Sequence, residues 1–161
     1  MSLMLPAALH SPSQLGVVII ELRRYLNKLG DHAARKKVAG ATEAAPEVSS
    51  LTKSVLTANK IAPGDEKATT SLLHELEKTQ TAAPTAHMTL ADLPDAGEQQ
   101  QFAEWFRANI HPLTLVTFTA RSDIGGGMIL QTGSHQYDMS FRAQILNNKA
   151  RIAEIFAHGS K

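Results

Sequence analysis

The stretch of residues 124–142, IGGGMILQTGSHQYDMSFR, constrains the fold more than any other part of the chain. The three consecutive glycines at 125–127 permit positive φ angles and a close approach of backbones. A short apolar run follows at 128–130, and a second turn comes at Gly133. Asp138 and Ser140 are residue types that accept hydrogen bonds from the free N–H groups at a helix start. The stretch therefore predicts a strand, a turn, a short returning strand and then a helix.

The first half of the chain has helical periodicity. Ser11 and Pro12 are typical of a helix start, and Gly30 is typical of a helix end. We expect a linker at 38–46 after the first helix. A second, short helix should follow, capped by Ser49 or Ser50, and a third should run from about 65 to 79. Residues 79–85 (TQTAAPT) form the best candidate domain boundary, which predicts a helical domain at 1–84 and a second domain at 85–161.

The first helix has an apolar stripe that allows two interpretations. The stripe consists of Leu15, Val18, Ile19, Leu22, Leu26 and Leu29, all on one helical face. We favour a core-facing helix. The alternative is a helix that lays its stripe into the groove of a partner. The two interpretations are compatible if a small bundle leaves part of the stripe open.

The pattern changes after the boundary and predicts a small α+β domain. The segment 87–91 alternates as a strand does, and 113–118 is rich in β-branched residues. Between them, Asp95 or Gly97 opens a helix whose large apolar residues, at core-packing spacing, are Phe102, Trp105, Phe106 and Ile110. The segment 128–132 is the returning strand, 137–139 is a short edge strand, and 141–156 is a final helix. The fold class is therefore α+β, a helical bundle followed by a strand-helix-strand-strand-helix domain.

The glycine-rich stretch resembles the C-terminal signature of the delta subunit of bacterial F-type ATP synthases, the counterpart of the mitochondrial oligomycin-sensitivity-conferring subunit. That signature opens with an Ile and a Gly pair, and it ends with Asp-x-Ser-x-Arg followed by an apolar residue. Arg121 stands where the family usually has an acidic or amide residue. The matching residues here are Ile124, Gly126, Gly127, Gly133, Asp138, Ser140 and Arg142.

The resemblance implies a non-catalytic connector in the peripheral stalk, which holds the catalytic head stationary while the rotor turns. It implies that the helical domain holds the N-terminal segments of the alpha subunits and that the C-terminal half contacts the b subunits. It places the protein at the cytoplasmic face of the bacterial inner membrane, with membrane association only through the complex. The family has a bundle of six helices where three are readable here, so we expect a reduced N-terminal domain.

Amphipathic stripes are the candidate partner-binding surfaces. One lies on the first helix and the other on the final helix. Because core and interface stripes look alike in a sequence, the individual contacts stay open. The candidate residues are Leu15, Val18, Ile19, Leu22, Leu26, Ile145, Ile152 and Ile155.

The residue patterns typical of catalysis or cofactor binding are not found in the sequence. There is no cysteine, so disulfides and thiolate metal sites are excluded. The glycine run lacks the Lys-Ser or Lys-Thr of a phosphate loop, and the seven histidines form no H-x-x-x-H pair. Asp138 and Ser140 are better explained as helix caps than as a catalytic pair. We expect no enzyme, no cofactor and no metal.

A small RNA-binding module is the alternative function, because the second domain also resembles modules of the KH type. Those modules need a G-x-x-G loop between helices with basic neighbours, whereas the glycines here lie between predicted strands. The net charge of the chain is +1, and residues 85–161 carry 6 basic and 7 acidic side chains. This charge balance does not favour a nucleic-acid partner.

The sequence also lacks the marks of export or membrane insertion. The first residues, MSLMLP, have no basic region followed by an apolar core, and no apolar run approaches the ~20 residues that a membrane-spanning helix needs. We expect a soluble protein.

Overall fold

The computed structural model describes residues 3–39 and 47–148, which form an α+β fold with helices first and a mixed sheet after them. The helical part contains α1 (Pro12–Ala39), α2 (Ser50–Ala58) and α3 (Glu66–Ala82). The sheet part contains β1 (Thr85–Leu90), α4 (Ala96–Asn109), β2 (Leu115–Ala120), β3 (Gly127–Thr132), β4 (His135–Ser140) and α5 (Phe141–Asn147). A single 3₁₀ turn, Ser122–Ile124, precedes β3. The predicted fold class is confirmed.

The four strands follow the order β2-β1-β3-β4. Strands β1 and β2 are parallel and are joined through α4, while β1 with β3 and β3 with β4 are antiparallel. The predicted edge strand at 137–139 is therefore a full strand, paired with β3 from Gly127–Ser140 to Thr132–His135. The part of the predicted final helix that follows Asn148 lies outside the described residues.

Helix α1 does not end at Gly30, as its sequence suggested, but continues to Ala39. A Cβ at Gly30 would meet no atom within 4 Å, and this glycine has no positive φ, so it does not form a left-handed cap. The sequence just after it contains Ala33, Ala34, Arg35 and Lys36, residue types that favour helix. Local propensity therefore outweighs the cost of one glycine, which is about 1 kcal/mol.

The apolar stripe of α1 forms the core of the helical part. Leu15, Val18, Ile19 and Leu22 are at most 3% exposed and pack with α2 and α3, while Leu26 is partly buried. The favoured interpretation, a core-facing helix, is confirmed for these residues. Tyr25 is also buried, and its hydroxyl accepts a hydrogen bond from the N–H of Gly64 at 2.9 Å.

Each helix begins with a side chain that satisfies free backbone N–H groups. Asp65 and Asp95 cap α3 and α4, and Asp95 forms a reciprocal capping box with Glu98. Ser49 caps α2 and is itself held by Glu21 of α1. Burial raises the pKa of Glu21, but hydrogen bonds from Ser49 and Thr52 outweigh this effect, so the pKa lies below its ordinary value.

The two parts of the chain are joined by the side chain of Arg107 in α4. Its guanidinium donates to the carbonyl oxygens of Leu5 (3.1 Å), Pro6 (2.9 Å) and Leu9 in the segment before α1, and to that of Thr114 (3.3 Å) before β2. The N–H of Val116 in β2 also donates to the carbonyl of His10. The start of the chain is therefore fastened to the sheet part, although about a hundred residues separate them.

The helical core also includes one residue of the sheet. Leu115, the first residue of β2, is 1% exposed and packs in the same cluster as Leu9, Leu15 and Leu72. On the opposite face of the sheet, Val116, Met88 and Ala86 pack with Phe106 and Ala103 of α4 in a second cluster. Strand β2 thus lies between the two clusters and belongs to both.

We expect replacement of Arg107 by Met to lower the free energy of unfolding by about 2 kcal/mol, because several carbonyls lose a charged donor in a partly buried place. Arg23→Met is the matched control, since Arg23 forms an exposed ion pair with Glu77 at 2.7 Å. Its loss should stay below about 1 kcal/mol. Urea unfolding of both variants measures the difference, and equal losses would show that Arg107 does not stabilise the junction.

A second prediction concerns His10, which packs edge-on against Phe118 at the same junction. Burial and the nearby charge of Arg107 lower the pKa of His10 from its ordinary 6.5. The unfolded chain therefore takes up this proton at a higher pH than the folded chain. The stability from neutral His10 is complete above about pH 6.5 and is lost as the pH falls through 6.5 towards the lowered value. Thermal unfolding between pH 7 and pH 5 should show a weaker pH dependence in His10→Gln than in the original protein, and identical slopes would exclude His10 as the source.

Candidate functional site

The glycine-rich stretch forms a tight turn against which α5 begins. Gly125, Gly126 and Gly127 have φ angles of 70°, 124° and 73°, in the region that favours glycine. A Cβ on Gly126 would lie 2.7 Å from the ring of Phe141, and one on Gly127 would overlap the carbonyl oxygen of Met139. The glycines at 126 and 127 are therefore required by both φ and the space available.

Two further signature residues lie at opposite ends of β3, Ile124 just before the glycine turn and Gly133 at the turn into β4. Ile124 is 1% exposed, and the N–H of Phe141 donates to the carbonyl of Gly126 at 3.0 Å. Gly133 has a φ of 57° and forms the tight turn between β3 and β4, where a Cβ would meet nothing within 4 Å. The turn before β3 and the start of α5 thus form one unit.

Ser140 acts as the sequence predicted, at the start of a helix. The hydroxyl of Ser140 accepts a hydrogen bond from the N–H of Ala143 at 3.1 Å, which confirms it as a helix cap. Asp138 lies in β4, and its carboxylate accepts a hydrogen bond from the N–H of Ser140 at 3.0 Å, so it supports the capping residue and does not itself cap the helix. Hydrogen bonding from Ser140 holds the pKa of Asp138 below its usual range.

Arg142 lies on the helix surface, which is one of the two placements that its position predicts, the other being a pair with Asp138. It forms an exposed ion pair with Asp123 at 3.0 Å. Asp123 also accepts from Arg121 at 2.7 Å, which lowers the pKa of the carboxyl group. Arg121, the position where the sequence departs from the delta signature, therefore belongs to a three-residue charge cluster that ties the 3₁₀ turn to α5.

The predicted partner-binding residues differ in exposure. Leu15, Val18, Ile19 and Leu22 are buried, so their side chains reach a partner only if the core opens, and Leu26 on the same stripe is partly buried. Ile145 on α5 is 60% exposed and is available to a partner, together with its neighbours Leu146 and Phe141. Ile152 and Ile155 lie outside the described residues.

Helix α1 has two exposed apolar residues that the sequence analysis did not select. Val17 and Ile20 are 59% and 51% exposed and lie with Arg24 on the side of the helix opposite its buried stripe. The buried stripe is longer and more regular, and it dominated the helical pattern. In the sequence, Val17 and Ile20 can be recognised as apolar residues on the side of the helix away from the stripe, where residues are usually polar.

The sheet part has an apolar groove that the sequence did not reveal. Alternation along the strands puts Met88, Leu130 and Tyr137 on one face, next to Met128 and Met139. Among the described residues, helix α4 packs on β1 and β2 through Ala103 and Phe106, and Met128 and Leu130 of β3 are only partly buried beside it. The groove has a volume of about 500 Å³ and includes Met88, Phe102, Trp105, Met128, Leu130 and Met139 in its lining.

Trp105 stands at the edge of this groove. We expected it to pack in the core with Phe102 and Phe106, and Phe106 is indeed 3% exposed. Trp105, however, is 55% exposed and touches Phe106 edge-on at a ring distance of 5.3 Å. Its indole therefore forms part of an open wall instead of a filled core.

The opposite face of the sheet is mostly polar. It includes His87, Thr89, Gln131 and Asp138, and none of the four strands contains a lysine or arginine. Contacts with phosphates need such basic side chains. The charge of this face therefore gives no support to the RNA-binding alternative, which stays a prediction.

Comparison with models of known protein families gives no match, and comparison with curated proteins gives none either. Among the described residues, no three His, Asp or Glu side chains lie close enough together to hold a metal ion. Within the same residues, none of the helices combines the length and the apolar character needed to cross a membrane. The features that bear on function are therefore the glycine turn with α5, the outer side of α1 and the groove beside α4.

We expect Gly127→Ala to lower the free energy of unfolding by about 3 kcal/mol or more, because strain at positive φ adds to the overlap with Met139. Gly133→Ala is the matched control, with a positive φ but open space around it, and should cost about 1 kcal/mol. Chemical denaturation measures both. Similar losses would mean that the positive φ angle alone, and not the close approach of Met139 in β4, requires glycine at 127.

Proposed function

We propose that the protein is a delta-type, non-catalytic connector of the peripheral stalk of an F-type ATP synthase. In this role it links the N-terminal segments of the alpha subunits to the b subunits at the cytoplasmic face of the bacterial inner membrane. It thereby keeps the catalytic head stationary during proton-driven rotation. The proposal rests on the delta-like signature of residues 124–142, most of whose members lie at one turn and helix start, with Gly133 in the separate turn between β3 and β4.

The observation that best supports a mechanical role is the junction between the two parts. A connector under torque needs its two ends to move as one body. Arg107 donates to carbonyls on both sides of the junction, and Leu115 of the sheet is buried in the helical core. Bending the parts against each other would break charged hydrogen bonds and expose apolar surface, and both changes are costly.

A connector also needs a partner surface in each part, and exposed apolar residues occur in both. In the helical part, Val17 and Ile20 lie on the outer side of α1. In the sheet part, Phe141, Ile145 and Leu146 of α5 are each more than half exposed. Groups of exposed apolar side chains are typical of interaction sites. By the resemblance, the first surface would face the alpha subunits and the second the b subunits.

The glycine turn lies directly against the start of the second surface. The N–H of Phe141 donates to the carbonyl of Gly126 at 3.0 Å and holds the first residue of α5 beside the turn, while the exposed pair of Arg142 with Asp123 adds at most about 1 kcal/mol. A surface on a fastened helix loses less conformational freedom on binding than one on a loose segment. The signature residues would thus act through α5, without contacting a partner themselves.

The proposal is tested by affinity purification of the tagged protein from detergent-solubilised membranes of its native host, with mass spectrometry of the chains that copurify. Recovery of the alpha, beta and b subunits of the synthase would establish the connector. Recovery of ribosomal or RNA-associated proteins without synthase subunits would favour the RNA-binding alternative. A gel-shift titration with single-stranded RNA at low salt then decides that alternative directly.

The surface on α1 gives a sharper prediction. The double substitution Val17→Asp and Ile20→Asp should change the free energy of unfolding by less than about 1 kcal/mol, because both side chains are exposed. It should nevertheless weaken binding to the isolated catalytic head at least tenfold, since it places two charges in an apolar contact. Ile19→Asp is the contrasting variant. It buries an unpaired charge next to the same surface and should unfold the helical part.

Binding by the double variant that equals that of the original protein would exclude the outer side of α1 as the docking surface. Binding is measured by surface plasmon resonance on the immobilised head, and folding is checked by circular dichroism.

A further inference from the structure

The groove beside α4 lies on a sheet face that the described residues cover only in part. Four strands at about 4.8 Å spacing make a sheet about 19 Å wide, which accommodates two helices of about 10 Å diameter side by side. In the described part of the chain, α4 is the one helix that packs on this face. By this estimate a second helix fits beside α4, over a groove floor formed by Met128, Leu130 and Met139.

The chemistry of the lining suits an apolar helix face. Three methionines, Met88, Met128 and Met139, contribute flexible, polarisable side chains that adapt to differently shaped partners. Trp105 stands at the edge as an exposed aromatic anchor, the residue type most often found at the energetic centre of an interface. Such a lining is typical of grooves that bind amphipathic helices.

The charge at the edge of the groove indicates the kind of helix. Glu98 is the one charged residue in the lining, and it is exposed. The basic residue of α4, Arg107, points away from the groove to the carbonyls of the N-terminal segment. A lysine or arginine on the flank of a bound helix would therefore meet a carboxylate, whereas an acidic flank would be repelled.

We propose that this groove binds an amphipathic helix of a partner protein, with an apolar stripe on the sheet and a basic flank beside Glu98. The bound helix would lie next to α4 and complete the second layer. That the helix comes from a stalk subunit rests on the proposed function, whereas its chemistry rests on the groove alone. A second copy of this chain and its own residues beyond Asn148 are competing occupants that the experiment separates.

Trp105 is the only tryptophan in the chain, so its fluorescence reports directly on the groove. The probes are two tryptophan-free helical peptides of about 18 residues, long enough to span about 27 Å. Both have the same leucine stripe, one with lysines on the flank and the other with glutamates. The lysine peptide should shift the Trp105 emission to shorter wavelength in a saturable way and protect it from acrylamide. The glutamate peptide should bind at least about threefold more weakly, as expected for one exposed ion pair.

Two pairs of variants locate the binding. Met139→Lys places a charge on the groove floor at a half-exposed position and should weaken binding of the lysine peptide at least about tenfold. Ile145→Lys, at an exposed position outside the lining, should leave that binding unchanged. Glu98→Gln should abolish the preference for lysine and keep the helix cap, because Gln also suits this position of a capping box. Glu104→Gln makes the same charge change on the same helix away from the groove and should keep the preference.

Four outcomes would overturn the proposal. The first is the absence of an emission shift with the lysine peptide, and the second is an equal effect of Met139→Lys and Ile145→Lys on binding of that peptide. A blue shift that grows with protein concentration without peptide would assign the groove to a second copy. Protection of Trp105 from acrylamide in the dilute full chain alone would assign it to the protein's own residues beyond Asn148.

Failure of this proposal and failure of the proposed function are separable. Peptide binding without synthase subunits in the affinity purification would keep the groove and reject the connector. The original protein could instead fail to bind the peptide, while it and Met139→Lys recover the synthase subunits equally. That result would support the connector and reject the groove as a binding site.

Discussion

The fixed relation between the helical part and the sheet part depends on the guanidinium group of Arg107. It donates to carbonyl oxygens in the segment before α1 and before β2, in a place where burial makes unmet hydrogen bonds costly. The segment before α1 is held against α4 by these bonds and meets β2 at the hydrogen bond from Val116 to His10, while Leu115 packs in the helical core. A planar cation with five N–H donors is well suited to this task, because it satisfies several carbonyls at once. The proposed connector would need a junction of this kind, because it transmits force between its two parts.

The second constraint is the close approach of β4 and α5 to the glycine turn. Gly126 and Gly127 have no side chain where Phe141 and Met139 need the space. Ser140 ends the strand and starts the helix, and the pair of Arg142 with Asp123 fastens the first turn of α5. These residues are close in sequence as well as in space, and for that reason a local pattern was sufficient to identify them. Their shared role is to orient α5 and its exposed residues, among them Ile145.

The apolar surfaces in the two parts have different origins. On α1, a strongly amphipathic helix buries one face and leaves Val17 and Ile20 on the other. In the sheet part, one face of the sheet is apolar, and among the described residues α4 is the helix that packs on it, beside the groove at Trp105. In both places the described residues leave apolar area exposed, which favours partners that can remove it from water. The two proposals use separate surfaces and therefore stand or fall separately.

The sequence by itself determined the fold class, the helix cap at Ser140 and the core-facing stripe of α1, because periodicity and capping act between residues near each other in the chain. Only the tertiary structure decided which apolar residues remain exposed, because burial depends on which element covers a face. The pattern that predicts packing for Trp105 is the same whether a neighbouring helix is present or absent. The partner of Arg142 and the junction at Arg107 likewise depend on contacts between residues that are distant in the chain, which no local pattern records.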